Sequence, residues 1–445
     1  MSNYQSLLFR PLLMGLMIVA NLGYAAEELE ATKMDSGQEN SVSPIIVRLV
    51  DSLFNLKEDV PVDDAEAADR YRKTALQGEA KAQLILGRMY AIGEGVPKDD
   101  VAAVHWFSKS AEQGNVEAQY TLGHMYDLGV WVVKKDDTEA VRWYRMAAEQ
   151  GHAKAQFNLG VMYANGEGVT EDDTEAARWY RMAAEQGHVS AQFNLGVMYA
   201  SGEGVTEDDT EAARWFRKAA EQGEASAQFN LGVMYDYGEG VPKDDTEAVS
   251  LYRMAAEQEH AAAQFNLGVM YANGEGVPED DTEAVRWYRM AAEHGHVSAQ
   301  SNLGNMYANG EGVPEDDTEA VRWFRKAAEQ ENVIAQFNLG NMYSNGEGVP
   351  EDDAKALRWF HKAAEQGHVS AQNNLGVMYS NGEGVPEDDI QAYAWYSIAA
   401  AQGNEVAKEN KEKIATDMTR AQVAEAQKLS RQYWETYGPA RKSTR

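Results

Sequence analysis

The chain repeats itself with a period of 36 residues. The Leu-Gly pair at Leu159 returns at Leu195, Leu231, Leu267, Leu303, Leu339 and Leu375, and earlier copies at Leu86 and Leu122 make nine. A fixed period of this length means stacked supersecondary units, each adding one layer to a growing core. A length of 445 residues, which ordinarily suggests about three domains, therefore carries no weight as a domain count.

One unit shows how the stack is built. Ala155, Leu159, Met162 and Tyr163 share a face at helical spacing, with Gly160 beside it, where the missing side chain admits close approach of a neighbouring backbone. Gly166 and Gly168 end this first helix, since glycine takes the left-handed conformation without strain. The second helix starts at Asp172, followed three residues later by Glu175, and the pairs Asp208/Glu211, Asp244/Glu247, Asp280/Glu283 and Asp316/Glu319 repeat this capping-box spacing. Ala176, Trp179, Tyr180 and Ala183 form its apolar stripe, and Gly187 turns the chain into the next unit. Each unit reads as an antiparallel helical hairpin. Neither helix is long enough to be stable alone in water, so stacking fixes both.

The pattern Ala-x-x-x-Leu-Gly-x-Met-Tyr-x-x-Gly-x-Gly-Val, followed by Asp-x-x-x-Ala-x-x-Trp-Tyr-x-x-Ala-Ala-x-x-Gly, resembles the Sel1-like repeat, a relative of the tetratricopeptide repeat. The resemblance implies an all-α fold: a right-handed α-solenoid of stacked hairpins over residues 63–403, with nine first helices and ten second helices, because Asp63 to Gln77 matches only a second helix. It also implies an adaptor or scaffold for macromolecular complexes, and many bacterial members are exported. Some cysteine-rich relatives are described as β-lactamases; this chain has no cysteine and no Ser-x-x-Lys pair.

The ends read differently. Residues 1–25 have Arg10 as their only charge, an apolar run from Pro11 to Leu22 and small residues up to Ala25, which reads as an export signal and predicts a periplasmic or secreted protein. A membrane anchor is the alternative, but the run is shorter than the ~20 residues a span requires. Residues 26–43 form a polar linker expected to be disordered. Residues 44–62 place Ile46, Leu49, Val50, Leu53 and Phe54 on one helical face, as an N-terminal cap for the stack. Residues 404–437 are the C-terminal cap, with a second box at Thr419 and Gln422 and a stripe of Val423, Ala426, Leu429 and Tyr433. Residues 438–445 are a basic tail.

Composition narrows function. Forty basic against 71 acidic residues give a formal charge of −31, so nucleic acid and anionic membrane surfaces are disfavoured as partners and a soluble monomer is expected. Without cysteine there is no disulfide or thiol chemistry. No cofactor or metal is predicted. Gly166-Glu167-Gly168 lacks the third glycine of a phosphate loop and lies beside acids. The Asp-Asp pairs lack the alternating oxygen ligands of a calcium loop. His152, His188, His296 and His368 follow turn glycines, a pattern read as surface positions.

What the core leaves over on the first helix is the candidate recognition surface. Phe157, Val161 and Asn165 are spaced four apart, and in the tetratricopeptide fold the equivalent stripe lines the concave groove that contacts peptides. Matching positions are Phe193, Val197, Phe229, Val233, Phe265, Val269 and Phe337, while Ser301, Asn305, Asn341 and Asn373 break the pattern. Packing alone would tend to give one residue everywhere, so the variation reads as a groove for a protein or peptide. Trp131, in the loop Gly129 to Lys135 that departs from Gly-Glu-Gly-Val, is a second candidate contact. Glu259 and Glu331 stand where the turn glycine is expected; in a left-handed turn each costs roughly 1–2 kcal/mol, so the stack is expected to bend or loosen at those joints.

Overall fold

The computed structural model describes residues 65–438. The expected export signal, linker, N-terminal cap helix and residues 439–445 of the basic tail lie outside the described residues. Among those described, every regular element is an α-helix. The chain divides into two compact units, one up to Lys243 and one from Asp244.

In the first unit α1 (Ala65–Leu76) is a lone second helix. The hairpins that follow are α2 (Ala80–Ile92) with α3 (Asp100–Glu112), α4 (Val116–Leu128) with α5 (Asp137–Glu149), α6 (Ala153–Asn165) with α7 (Asp173–Glu185), and α8 (Val189–Ser201) with α9 (Asp209–Glu221). α10 (Ala225–Tyr237) packs on α9. The second unit opens with α11 (Asp245–Glu257), a second helix. Its hairpins are α12 (Ala261–Asn273) with α13 (Asp281–Glu293), α14 (Val297–Asn309) with α15 (Asp317–Glu329), α16 (Val333–Asn345) with α17 (Asp353–Glu365), and α18 (Val369–Asn381) with α19 (Asp389–Ala401). α20 (Glu405–Asp417) and α21 (Arg420–Tyr437) both pack on α19.

The local chemistry repeats as faithfully as the helices. At the end of a first helix Gly166 takes φ +69° and its N–H donates to the Met162 carbonyl. The second glycine does more than terminate. A Cβ on Gly168 would lie 2.2 Å from the Asp137 carbonyl oxygen, so this is where one repeat's loop meets the backbone of the preceding second helix. Gly160, expected to admit a neighbouring backbone, instead admits a ring: its Cβ would lie 2.7 Å from Tyr180. The helix leans on the ring of the aromatic that follows it in the same hairpin.

The Asp/Glu boxes form by halves. The Asp172 carboxylate accepts from the Glu175 N–H at 3.0 Å, but the Asp172 N–H donates to the Tyr163 carbonyl at 3.0 Å. With that donor already satisfied, Glu175 turns outward to Arg178 at 3.0 Å. Thr419 and Gln422 do form the full reciprocal box. Second helices end in Schellman turns, in which His188 N–H donates to Ala183 and Gly187 N–H to Ala184. Glu259 and Glu331 take φ +65°, the left-handed conformation. Their turns keep the same pair of hydrogen bonds at 3.0–3.2 Å, so the strain is carried without local opening.

The core is a series of layers. Ala176, Tyr180 and Ala183 of α7 meet Ala191, Leu195 and Met198 of α8, and Trp215 of α9 closes the layer. The same set recurs as Ala284, Tyr288, Ala291, Leu303, Met306 and Trp323 in the second unit. A glutamine ladder satisfies the buried polar groups at the joints: Gln156 donates to the Ala148 carbonyl at 3.0 Å, and Gln186 donates to the Gln156 side-chain oxygen at 2.7 Å. His294 takes the ladder position opposite Gln264, at 3.2 Å. The stack ends on aromatics, with Tyr433 tilted against Trp395 at 4.5 Å and its hydroxyl donating to Gln391 at 2.6 Å.

Candidate interaction surface

The first-helix stripe is not uniformly open. Phe193, Val197, Phe229 and Val233 retain 5 % exposure or less. Enclosed side chains offer no area to a partner, which corrects their assignment as contact residues. Phe157, Val161, Phe265, Val269, Phe337, Asn305 and Asn341 are half-buried, and Asn165 is exposed.

The phenylalanines have a structural task. Three of them are platforms for the histidine that caps the next first helix, whereas Phe193 precedes the Glu224 cap. Phe157 stacks on His188 at 4.6 Å, Phe265 on His296 at 4.6 Å and Phe337 on His368 at 4.4 Å, while Tyr120 does the same for His152 at 4.5 Å. These histidines are not loose surface residues. Nδ1 of His152, His188, His260, His296 and His368 accepts the N–H of the alanine three residues on, at 3.1–3.3 Å. Burial pushes His188 down to about 4 and also lowers His260, His296 and His368. His152 lies 3.3 Å from Glu117, and that hydrogen bond holds the Glu117 carboxyl below its usual range.

The breaks in the stripe follow from this pairing. Where Ser301 replaces phenylalanine, the cap is Asn332; where Asn373 does, it is Asn404. Asn305 and Asn341 have a second cause. Asn158, Asn194 and Asn302 of the following helix lie beside the hydroxyls of Tyr144, Tyr180 and Tyr288 and offset part of the burial that pushes those tyrosines up. Phe324 and Phe360 lack that hydroxyl, and the orphaned amides of Asn338 and Asn374 donate to Asn305 at 2.9 Å and Asn341 at 3.4 Å instead. Asn230, after Phe216, donates to the Ser226 carbonyl at 2.8 Å. Packing therefore varies in linked pairs, and variation along the stripe is not by itself a mark of recognition.

Trp131 folds back. Its ring stacks on Phe107 at 6.2 Å, and Val130 and Val133 pack on the same core, leaving Val132 as the exposed tip. Lys135 pairs with Asp137 at 3.2 Å. Trp131 takes φ +60° to achieve this.

Sequence reasoning missed a row of arginines. Arg145, Arg181 and Arg217 of the first unit donate to the hydroxyls of Tyr163, Tyr199 and Tyr235 at 2.5–2.8 Å. Arg253, Arg289 and Arg325 of the second unit donate to Tyr271, Tyr307 and Tyr343 at 2.6–3.0 Å. The signal was present as a fixed 18-residue offset between Arg and Tyr, which only the packing of a second helix on the next first helix makes meaningful. Among the described residues no group of three or more His, Asp or Glu side chains could hold a metal ion, and no helix is long and apolar enough to cross a membrane.

A family model described as Sel1 repeat matches nine consecutive stretches, 80–115, 116–152, 153–188, 189–224, 225–260, 261–296, 297–332, 333–368 and 369–404. Each contains one first helix and the second helix after it. Among solved structures, a protective antigen of uropathogenic Escherichia coli displaying an SLR fold is similar at 36% identity, covering 95% of each chain, with a TM-score of 0.60. A Sel1 repeat protein from Oxalobacter formigenes is 36% identical over 70% of this chain and 89% of its own, with a TM-score of 0.56. None of the curated proteins matches this chain.

Proposed function

Because the chain belongs to the Sel1 repeat family, whose members are generally protein-interaction scaffolds, we propose that it is an exported scaffold that holds a protein or peptide along its first helices. It carries no chemistry of its own in this reading. The observation that supports it best is the division of labour within each repeat. The recurring Leu, Met, Trp and Ala residues are consumed by the core, while Val161, Asn165, Val269 and Phe265 stay at least partly open on a face formed by rigid, capped helices. Side chains on rigid elements bind with little ordering cost.

Export rests on the apolar run from Pro11 to Leu22 and on the Escherichia coli relative, which is described as a protective antigen. Antigens that protect are met outside the cytoplasm. That same description favours a second reading, a secreted factor that engages a host surface. Fractionating periplasm from culture medium separates the two.

The scaffold reading is tested by affinity capture from the native cell envelope with the full chain as bait. A V161E/V269E variant is expected to lose the captured protein while its thermal midpoint stays within about 3 °C of wild type. A wild-type bait that retains nothing above a bait-free control would sink the scaffold reading. A variant that retains the partner would move the site off this face.

A further inference from the structure

The second helices carry two rows of arginine, three residues apart, with opposite circumstances. Arg142, Arg178, Arg214, Arg286 and Arg322 each pair with the glutamate three residues before them at 2.9–3.0 Å. Arg145, Arg181 and Arg217 in the first unit, and Arg253, Arg289 and Arg325 in the second, have no carboxylate within 4.0 Å among the described residues. Each is held by one tyrosine hydroxyl, which engages one of its five N–H donors. In a chain with 71 acidic and 40 basic residues, six consecutive arginines without an acid are a departure from chance pairing.

The fold does not require them. Ser108 and Ser397 occupy the same position in α3 and α19, and the helices there continue unchanged. Arg181, Arg217 and Arg325 are exposed. Beside the last of these, Lys355, itself paired with Asp352 at 2.9 Å, lies 5.2 Å from the centre of the Tyr343 ring that also receives Arg325. A guanidinium oriented by a neutral hydroxyl keeps its remaining N–H fork free for a planar carboxylate, the geometry arginine serves best.

We propose that the arginine–tyrosine row within each unit is a docking strip for an extended acidic peptide segment of a partner, taking one carboxylate per repeat. The inference rests on the scaffold reading above and names the partner's chemistry. Peptide is favoured over a sulfated or phosphorylated polymer because methionine follows four of the six arginines, Met254 among them at 44 % exposure, although Lys218 and Lys326 follow Arg217 and Arg325. Thioethers suit intervening side chains of a peptide better than hydrated sugars or phosphates. The negative charge of the whole molecule opposes any anion at long range but is screened beyond about 8 Å at physiological salt. Binding at the strip is therefore a contact effect, strengthened by several weak sites acting on one ligand.

The test uses the full chain and a fluorescein-labelled peptide of about 20 glutamates, with a glutamine peptide as control, read by fluorescence anisotropy. Saturable binding of the glutamate peptide alone, weakening as salt rises, is expected. R181Q/R217Q should weaken it about tenfold. Y199F/Y235F, which keeps the charge and removes its orientation, should cost less. R178Q/R214Q, in the ion-paired row, should leave it unchanged. Unfolding is checked by circular dichroism of each variant, and because all three pairs are surface changes, the R178Q/R214Q control fixes the background. Absence of binding, insensitivity to R181Q/R217Q, or preference for heparin over the peptide would overturn the proposal. If the envelope partner is still captured by R181Q/R217Q, the strip falls and the scaffold reading stands.

Discussion

Asn338 shows how one missing hydroxyl sets the identity of a residue on another helix. Asn302 on α14 has the Tyr288 hydroxyl beside it, whereas Asn338 on α16 faces Phe324 and turns to Asn305 at 2.9 Å. A half-buried amide left without a partner costs about 1 kcal/mol or more. Asn305→Val should therefore lower stability by about that amount, measured by urea unfolding. Adding Phe324→Tyr in the same chain should restore it, because the new hydroxyl takes over Asn338 as Tyr288 serves Asn302. A double-mutant cycle is the readout: the expected coupling is about 1 kcal/mol, and strictly additive effects would show that the amide pairing contributes nothing. Recognition has no part in this account of Asn305, although the residue lies on the face where a partner would sit.

At the scale of the helix, the informative element is the N-cap of each first helix. Asn115, Asn332 and Asn404 cap with a side-chain oxygen that does not titrate. His152, His188, His260, His296 and His368 cap with Nδ1, which loses its acceptor role on protonation. The groups facing these rings are Glu117 at His152, Lys154 at His188 and His260 at His296, with the aromatic platforms beneath. Burial depresses the folded-state values of His188, His260, His296 and His368, to about 4 for His188. Between the unfolded value of about 6.5 and that folded value, the unfolded chain binds more protons. Stability is thus intact above about pH 6.5 and falls as the pH drops towards 4, by about 3 kcal/mol for His188 alone. Replacing all five histidines with asparagine should leave stability near pH 8 little changed and move the acid unfolding midpoint, followed by circular dichroism, to lower pH. An unmoved midpoint would assign acid unfolding to the carboxylates alone. The caps also show what a sequence withholds. The period, the hairpins, the glycine turns and the Trp/Tyr/Ala stripe were legible because each is a local pattern repeated nine times. The stacks under the histidine caps, the arginine–tyrosine pairs and the Asn305–Asn338 bond join residues 18 to 33 positions apart. Only the register of one hairpin on the next brings them together, and without it a stacked phenylalanine looks like a free groove residue.

At the scale of the molecule, that register is the property that matters. Most joints within a unit repeat one glutamine ladder, one tryptophan insertion and one glycine-to-backbone contact, with His294 in one ladder position and Trp131 in place of one loop glycine, so stability is a sum of repeat and interface contributions rather than the property of one centre. Removing one full period should then cost one layer and nothing else. Excision of residues 189–224 joins His188 directly to Ala225. Phe157 keeps His188 as its stacking partner, and His188 can cap through Ala227, now three residues on. Tyr180 meets Asn230, supplying the hydroxyl that Phe216 denies it in the intact chain. The shortened protein should unfold cooperatively, with a urea m-value lower by roughly one part in nine. Excising only half a period, residues 189–206, should instead put second helix α9 where first helix α8 belongs against α7, break the ladder and give a chain without a cooperative transition. If both deletions fold equally well, the layers are not held by register. If neither folds, the stability of the chain depends on a long-range cooperativity that a sum of neighbours does not contain.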